Sequence, residues 1–282
     1  MRNNLVFVVF DSCRFDNFLA AKTPNIDRLG ETTRCYSYAS WTVPSHTVYM
    51  MGVSPHQNPR GVFASEVYKK DFVRWGERLQ IPDISFKAFL PHLSLPAFLK
   101  AHGYRTGALV SMPVLNQTTN FNRHFDRYQL MSSHNDFAAQ IDEIEFDPGQ
   151  PSFYLINVGE THYPYSLPGE TNTLPRISGV HGVVKHMDDQ LGIGSASSAK
   201  TAADEDQFFD MKQMRELCEK QRSNIEYLDR QFERLYQMAP ANTHFIVTSD
   251  HGELFGEDGF FGHGPVIHEK VFEVFSVEGV KR

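Results

Sequence analysis

The chain has 282 residues, 41% of them hydrophobic and 22% charged, enough to bury one large core, so a single domain over 1–282 is expected. A formal net charge of −7 without a dense Lys/Arg run argues against a nucleic-acid surface. Three widely spaced cysteines, Cys13, Cys35 and Cys218, exclude a disulfide framework and a zinc knuckle and fit a reducing compartment.

The chain opens on Leu5-Val6-Phe7-Val8-Val9-Phe10, a continuous apolar strand that is too short for a signal-peptide core. No stretch approaches the roughly 20 apolar residues of a membrane span. A cytoplasmic location is the expectation. Asp11 follows the strand directly, and Arg14 with Asp16 reads as a structural ion pair. Thr23 to Gly30 reads as a short capped helix. In Trp41-Thr42-Val43-Pro44-Ser45-His46, Pro44 suits the first turn of a helix, which puts Thr42 at or just before its N-terminus. Ser94 to Gly103 is a capped helix, Thr106 to Ser111 a strand, and Phe153 to Val158 another buried strand. Glu160-Thr161-His162-Tyr163-Pro164 follows that last strand.

From about Gly169 to Gln207 the apolar pattern fades, and a mobile insertion is expected around 190–207. From Asp210 to Met238, Met211, Met214, Leu217, Ile225, Leu228, Phe232 and Leu235 recur at helical spacing and predict a long amphipathic helix. Pro240 ends it. Phe245 to Thr248 is a β-branched strand running into Ser249-Asp250-His251-Gly252, and His263 stands between Gly262 and Gly264. The remaining tail suggests a helix over 266–272 and a strand through Val277.

Buried strands alternating with helices predict an α/β fold with a doubly wound, mostly parallel sheet. Ligands of such sheets bind outside the carboxyl ends of the strands, where Asp11 and Asp250 each stand. The two carboxylates can meet there at one cation, with His251 beside them; oxygen and imidazole donors of this kind suit Zn²⁺ or Mn²⁺. A hydroxyl at Thr42 faces unpaired amides at a helix N-terminus, which favour an incoming anion. Plainer readings stand beside these: Asp11 and Thr42 as helix caps, and Asp250-His251 as a cap and a surface histidine.

Asp11 after the first strand, TVPSH before a helix, and DHGE followed by GHG together resemble the sulfatase-like branch of the alkaline phosphatase superfamily. TPNIDRLG, GYRTGALVS and PSFYLINVGETHYPY occur in the expected order along nearly the whole chain. The resemblance implies a doubly wound α/β core with a metal site at its carboxyl edge. It assigns Asp11, Thr42, Asp250 and His251 to the metal and nucleophile set, and His162 and His263 to contact with the transferred group. The chain also departs from the family. Sulfatases carry Cys-x-Pro-Ser-Arg, whose Cys or Ser becomes a formylglycine aldehyde; a threonine carries a methyl on Cβ and can give only a ketone. His46 replaces the Arg, Ser12 replaces a frequent second Asp, and His251 replaces an Asn, which moves preference from Ca²⁺ or Mg²⁺ toward Zn²⁺ or Mn²⁺. The smaller C-terminal subdomain of longer sulfatases is not seen.

The expectation is a hydrolase or transferase using one divalent metal ion, with a second ion possible. It would act on a small anionic substrate, a phosphate monoester or phosphodiester, through Thr42. A sulfate-ester hydrolase without formylglycine and a metal-binding relative without turnover are the alternatives.

Overall fold

The structure is a computed structural model that describes residues 2–57, 64–82, 84, 93–170, 210–264 and 266–281. The insertion expected around 190–207 lies outside the described residues. The fold grows from β1 (Asn4–Phe10), in which every residue is buried. Val6, Val8 and Phe10 enter one apolar cluster, while Leu5, Phe7 and Val9 enter another. Period-two alternation thus feeds a core on each face of the sheet, which is why the run carries no polar face.

Around β1 the seven-stranded sheet has the order β2-β9-β6-β1-β5-β3-β4. Its strands are β2 (Thr33–Tyr36), β3 (Arg105–Val110), β4 (Arg127–Leu130), β5 (Ser152–Val158), β6 (Thr243–Ser249) and β9 (Glu273–Val280). From β6 to β4 all neighbours are parallel. β9 is antiparallel to both β6 and β2. A small hairpin pairs β7 (Leu254–Phe255) with β8 (Phe261–Gly262).

Helices cover both faces. On one lies α7 (Met211–Met238), which buries Met214, Leu217, Ile225, Leu228, Phe232 and Leu235. Asp210 caps it by accepting from Lys212 N at 2.8 Å. Met211, expected on the buried face, is exposed, because it occupies the first helical position before the helix reaches the sheet. Alongside α7 pack α1 (Phe15–Ala20), α2 (Pro24–Asp27) and α6 (Phe137–Asp142). The other face is covered by α4 (Ala64–Leu79), with Trp75 and Leu79 fully buried, and α5 (Leu95–Ala101), capped by Ser94 Oγ. At the carboxyl edge lies α3 (Thr42–Met50).

The tail differs from its expectation. The helix α8 is only Glu269–Phe272, and the strand after it runs on to Val280 as β9. This segment is part of the sheet: Val274, Phe275 and Val277 are fully buried. Phe275 stacks on Phe18 at 3.6 Å and meets Phe10 edge-on at 5.6 Å.

Phe275→Ala should therefore lower unfolding stability by about 3–5 kcal/mol, read from the midpoint of a urea transition. A loss no larger than that of an exposed substitution would contradict the placement of β9.

Candidate metal and phosphoryl site

Strand register brings the site together. Phe10 of β1 is paired with Ser249 of β6, so the next residues, Asp11 and Asp250, emerge side by side at the carboxyl edge. Both are fully buried, as is His251. Ligand atoms of these three residues lie within 4.8 Å of one another. Asp250 Oδ1 accepts from the backbone N–H of Ser12 and of His251, each at 3.0 Å. Asp11 Oδ2 accepts from Asn157 Nδ2 at 2.9 Å, and Asp11 Oδ1 from Ser12 Oγ at 3.2 Å.

Thr42 is the first residue of α3; Trp41 holds the cap position, and no side chain caps the helix. The Thr42 hydroxyl therefore does not serve as an N-cap. Its Oγ1 lies 3.4 Å from both Asp11 Oδ1 and His251 Nε2. Helix geometry leaves first-turn N–H groups without intrahelical partners, which gives this end of α3 a positive character.

The imidazoles are anchored in one manner. Nδ1 of His251 lies 2.9 Å from Gly252 O, Nδ1 of His162 2.7 Å from Tyr163 O, and Nδ1 of His46 2.9 Å from Thr42 O. A carbonyl accepts only, so each Nδ1 carries the proton and each Nε2 keeps its lone pair. His263 Nδ1 lies 3.2 Å from Glu253 Oε1 and 3.4 Å from Ser12 Oγ. Glu253 also accepts from the Tyr165 hydroxyl. The His263 ring stands 4.2 Å from that of His251 and 5.1 Å from that of His162. The turn that brings it there needs positive φ on both sides, 86° at Gly262 and 120° at Gly264. Gly252 serves differently: a Cβ there would stand 2.0 Å from Lys270 O.

Burial opposes charge throughout the site. At Asp250, burial and then the charge on Asp11 push the carboxyl well above its ordinary range. At Asp11 burial is outweighed by the protonated forms of the His162, His251 and His46 imidazoles and by the Asn157 amide, which hold the carboxyl below that range. One carboxylate thus carries the charge while its neighbour keeps a proton. Burial also lowers the pKa of His162 and His46, and, with His263, holds His251 well below its ordinary value. At His162 burial outweighs the facing Asp11 and Glu253 carboxylates, so the imidazole pKa stays below its ordinary value.

The donor set fits a divalent cation. Asp250 Oδ2 is buried without a hydrogen-bond partner, 3.3 Å from His251 Nε2. An orphaned carboxylate oxygen facing an imidazole lone pair is costly unless a cation or proton joins them.

All six residues singled out in the sequence stand around this edge: Asp11, Thr42, Asp250 and His251 in one cluster, His162 and His263 beside it. Sequence reasoning passed over Asn157, Glu253 and Tyr165. Asn157 had a signal, as a polar residue inside the mostly apolar Phe153–Val158 run, and Glu253 another, as an acid just before Leu254-Phe255. Arg14 and Asp16 form the expected ion pair, at 2.5 Å, which Glu257 extends.

The sulfatase family model matches residues 3–270. The chain belongs to the sulfatase family. No curated protein sequence gives a significant match. Among solved structures, the C-terminal periplasmic domain of EptC from Escherichia coli, in complex with Zn, aligns with 100% of this chain and 73% of its own, at a TM-score of 0.59 and 14% identity. The corresponding domain of phosphoethanolamine transferase EptC from Campylobacter jejuni aligns with 99% of this chain and 79% of its own (TM-score 0.52, 13% identity). A phosphonate monoester hydrolase of Agrobacterium radiobacter aligns with 98% and 68% (TM-score 0.52, 15% identity). At such identities the likeness is one of fold.

The raised pKa of Asp250 has a consequence for stability. A carboxyl whose pKa rises on folding contributes stability that is complete below its ordinary value of 3.8 and is lost as pH climbs through the folded value. Asp250→Asn keeps the acceptor for Ser12 N and His251 N and offers an N–H to His251 Nε2. Without divalent cations above neutral pH, this variant should be more stable than the parent by about 1–3 kcal/mol. It should also lose any cation-induced rise in Tm. A parent Tm that is insensitive to pH and to added Zn²⁺ would contradict the assignment.

Proposed function

We propose that this protein is a metal-dependent hydrolase or transferase acting on a phosphate monoester or phosphodiester, with Thr42 as nucleophile. The observation that carries the reading is the placement of Thr42 Oγ1, 3.4 Å from both Asp11 Oδ1 and His251 Nε2 at the start of α3. Asp11, Asp250 and His251 would hold a divalent cation, Zn²⁺ or Mn²⁺ by their chemistry, which supplies a Lewis acid that lowers the pKa of a neighbouring hydroxyl. Proteins of similar fold include one in complex with Zn, a phosphoethanolamine transferase and a phosphonate monoester hydrolase, which supports this choice of chemistry.

Thr42 Oγ1 passes its proton to Asp11 Oδ1, to which it donates at 3.4 Å, and attacks phosphorus in line; the bond to the ester oxygen breaks, its electron pair leaves with that oxygen, and a phospho-threonine forms. The first turn of α3 faces the equatorial oxygens with unpaired N–H groups. The charge of the arriving group favours the protonated form of His162, which then donates through Nε2, and the His263 ring stands 5.1 Å from it on the same edge. Water or an acceptor alcohol next attacks phosphorus and restores Thr42. Formylglycine chemistry is closed to this chain, since a threonine cannot be oxidised to an aldehyde.

The anchoring of Nδ1 in both His162 and His263 favours a second reading, in which their free Nε2 atoms hold a second ion. His162→Ala and His263→Ala separate the two. In the first reading each lowers kcat/KM by about 10²–10³-fold with cation content unchanged. In the second, each variant loses one of two cations per chain.

For the nucleophile itself, Thr42→Ala should abolish hydrolysis of aryl phosphates while folding and cation binding persist. Thr42→Ser should retain substantial activity. Full activity in Thr42→Ala would transfer the nucleophilic role to water, and aryl sulfates hydrolysed as fast as aryl phosphates would favour a sulfate ester as substrate.

A further inference from the structure

Gln221 and Asn224 lie nearly one turn apart on α7, and both side chains are fully buried. A primary amide buried on an otherwise apolar helix face costs free energy unless its hydrogen bonds are made. Gln221 makes all of its own. Its Nε2 donates to Ser12 O at 3.0 Å and to Thr161 O at 2.9 Å. Its Oε1 accepts from Asn17 Nδ2 at 2.7 Å and from Arg14 N at 3.4 Å. Asn224 Nδ2 donates to Glu160 O at 2.7 Å and to Tyr165 O at 2.9 Å.

The carbonyls so bound belong to the two loops that leave β1 and β5 at the site. The last backbone bond between those strands runs from Asp11 N to Val158 O at 2.9 Å, so beyond it side chains must fix the loops relative to each other. The loop after β1 carries Asp11 and, through Ser12 N, holds Asp250 Oδ1. The loop after β5 carries His162 and, through Thr161 Oγ1, donates to Asp11 O at 2.8 Å. One amide therefore spans both halves of the site without touching the reacting atoms.

We propose that Gln221 is a positioning residue, which sets the separation of the Asp11 and His162 loops and so the geometry of the cation and phosphoryl sites, with Asn224 holding the Glu160–Tyr165 loop against the same helix. This inference rests on the function proposed above. Asp229, two turns further along α7, supplies a control. It is equally buried and accepts from Asn25 N at 3.0 Å, Ile26 N at 2.9 Å and Asn25 Nδ2 at 2.8 Å, so it ties down α2 and no loop of the site.

The test compares Gln221→Glu, Gln221→Met and Gln221→Asn with Asp229→Asn on the full chain. Tm, Zn²⁺ affinity by competition with a chromogenic chelator, and kcat and KM for an aryl phosphate are read on each. The Glu and Met variants remove both donated bonds; the Asn variant is one methylene too short to reach both loops and keeps the test open if the others do not fold. In the Gln221 variants Zn²⁺ affinity should fall about tenfold, the low end for a residue that orients ligands, and kcat should fall with KM little changed. Asp229→Asn should lower Tm while Zn²⁺ affinity and kcat stay at the parent values. Gln221 variants that lose Tm yet keep parental Zn²⁺ affinity and kcat would overturn this inference alone. A parent chain that binds no Zn²⁺ would overturn the proposed function, and this inference with it.

Discussion

The parallel pairing of β1 with β6 is the constraint from which the site follows. With Phe10 opposite Ser249, the chain has no choice but to release Asp11 and Asp250 beside each other, both fully buried. Two carboxylates so close in a dry environment cannot both be ionised unless positive charge is supplied. The surroundings are arranged around that conflict: backbone N–H groups of Ser12 and His251 on one carboxylate, the Asn157 amide on the other, and an imidazole lone pair facing the oxygen that remains unsatisfied. Without a cation the conflict is met by a proton on Asp250, at a cost to stability that grows with pH.

The same edge suits the role proposed for Thr42. Thr42 begins α3, so its side chain is directed by the first helical turn and not spent on capping. Its hydroxyl lies within reach of a charged carboxylate and an imidazole that burial keeps neutral. That environment suits the proposed role of the hydroxyl, since a neutral imidazole keeps a lone pair for a cation where a protonated ring would repel one. Burial likewise lowers the pKa of the His162 imidazole, against the pull of the Asp11 and Glu253 carboxylates.

Much of this was legible in the sequence, for identifiable reasons. Strands buried on both faces must be apolar throughout, so Leu5–Phe10, Phe153–Val158 and Phe245–Thr248 could be read directly. The abrupt appearance of Asp11 and Asp250 at the ends of such runs marked the edge where the candidate site gathers. Other features depend on contacts between distant segments. The antiparallel β9 is a short apolar stretch whose place in the sheet comes only from pairing with β6 and β2. Gln221 and Asn224 look like solvated positions on an amphipathic helix until the carbonyls they bind are known. The lowered pKa of His162 comes from burial, which leaves no mark in residue spacing.

The central claim is that Thr42 becomes covalently bonded to the transferred phosphoryl group. The most direct measurement is an acid quench of the Zn²⁺-loaded protein during turnover of an aryl phosphate, followed by peptide mapping with mass spectrometry. The account predicts a phosphoryl group on Thr42 in the peptide containing Thr42-Val43-Pro44, present during turnover and lost as substrate runs out. Sustained turnover with Thr42 unmodified at every quench time, or a phosphoryl group on another residue, would contradict it.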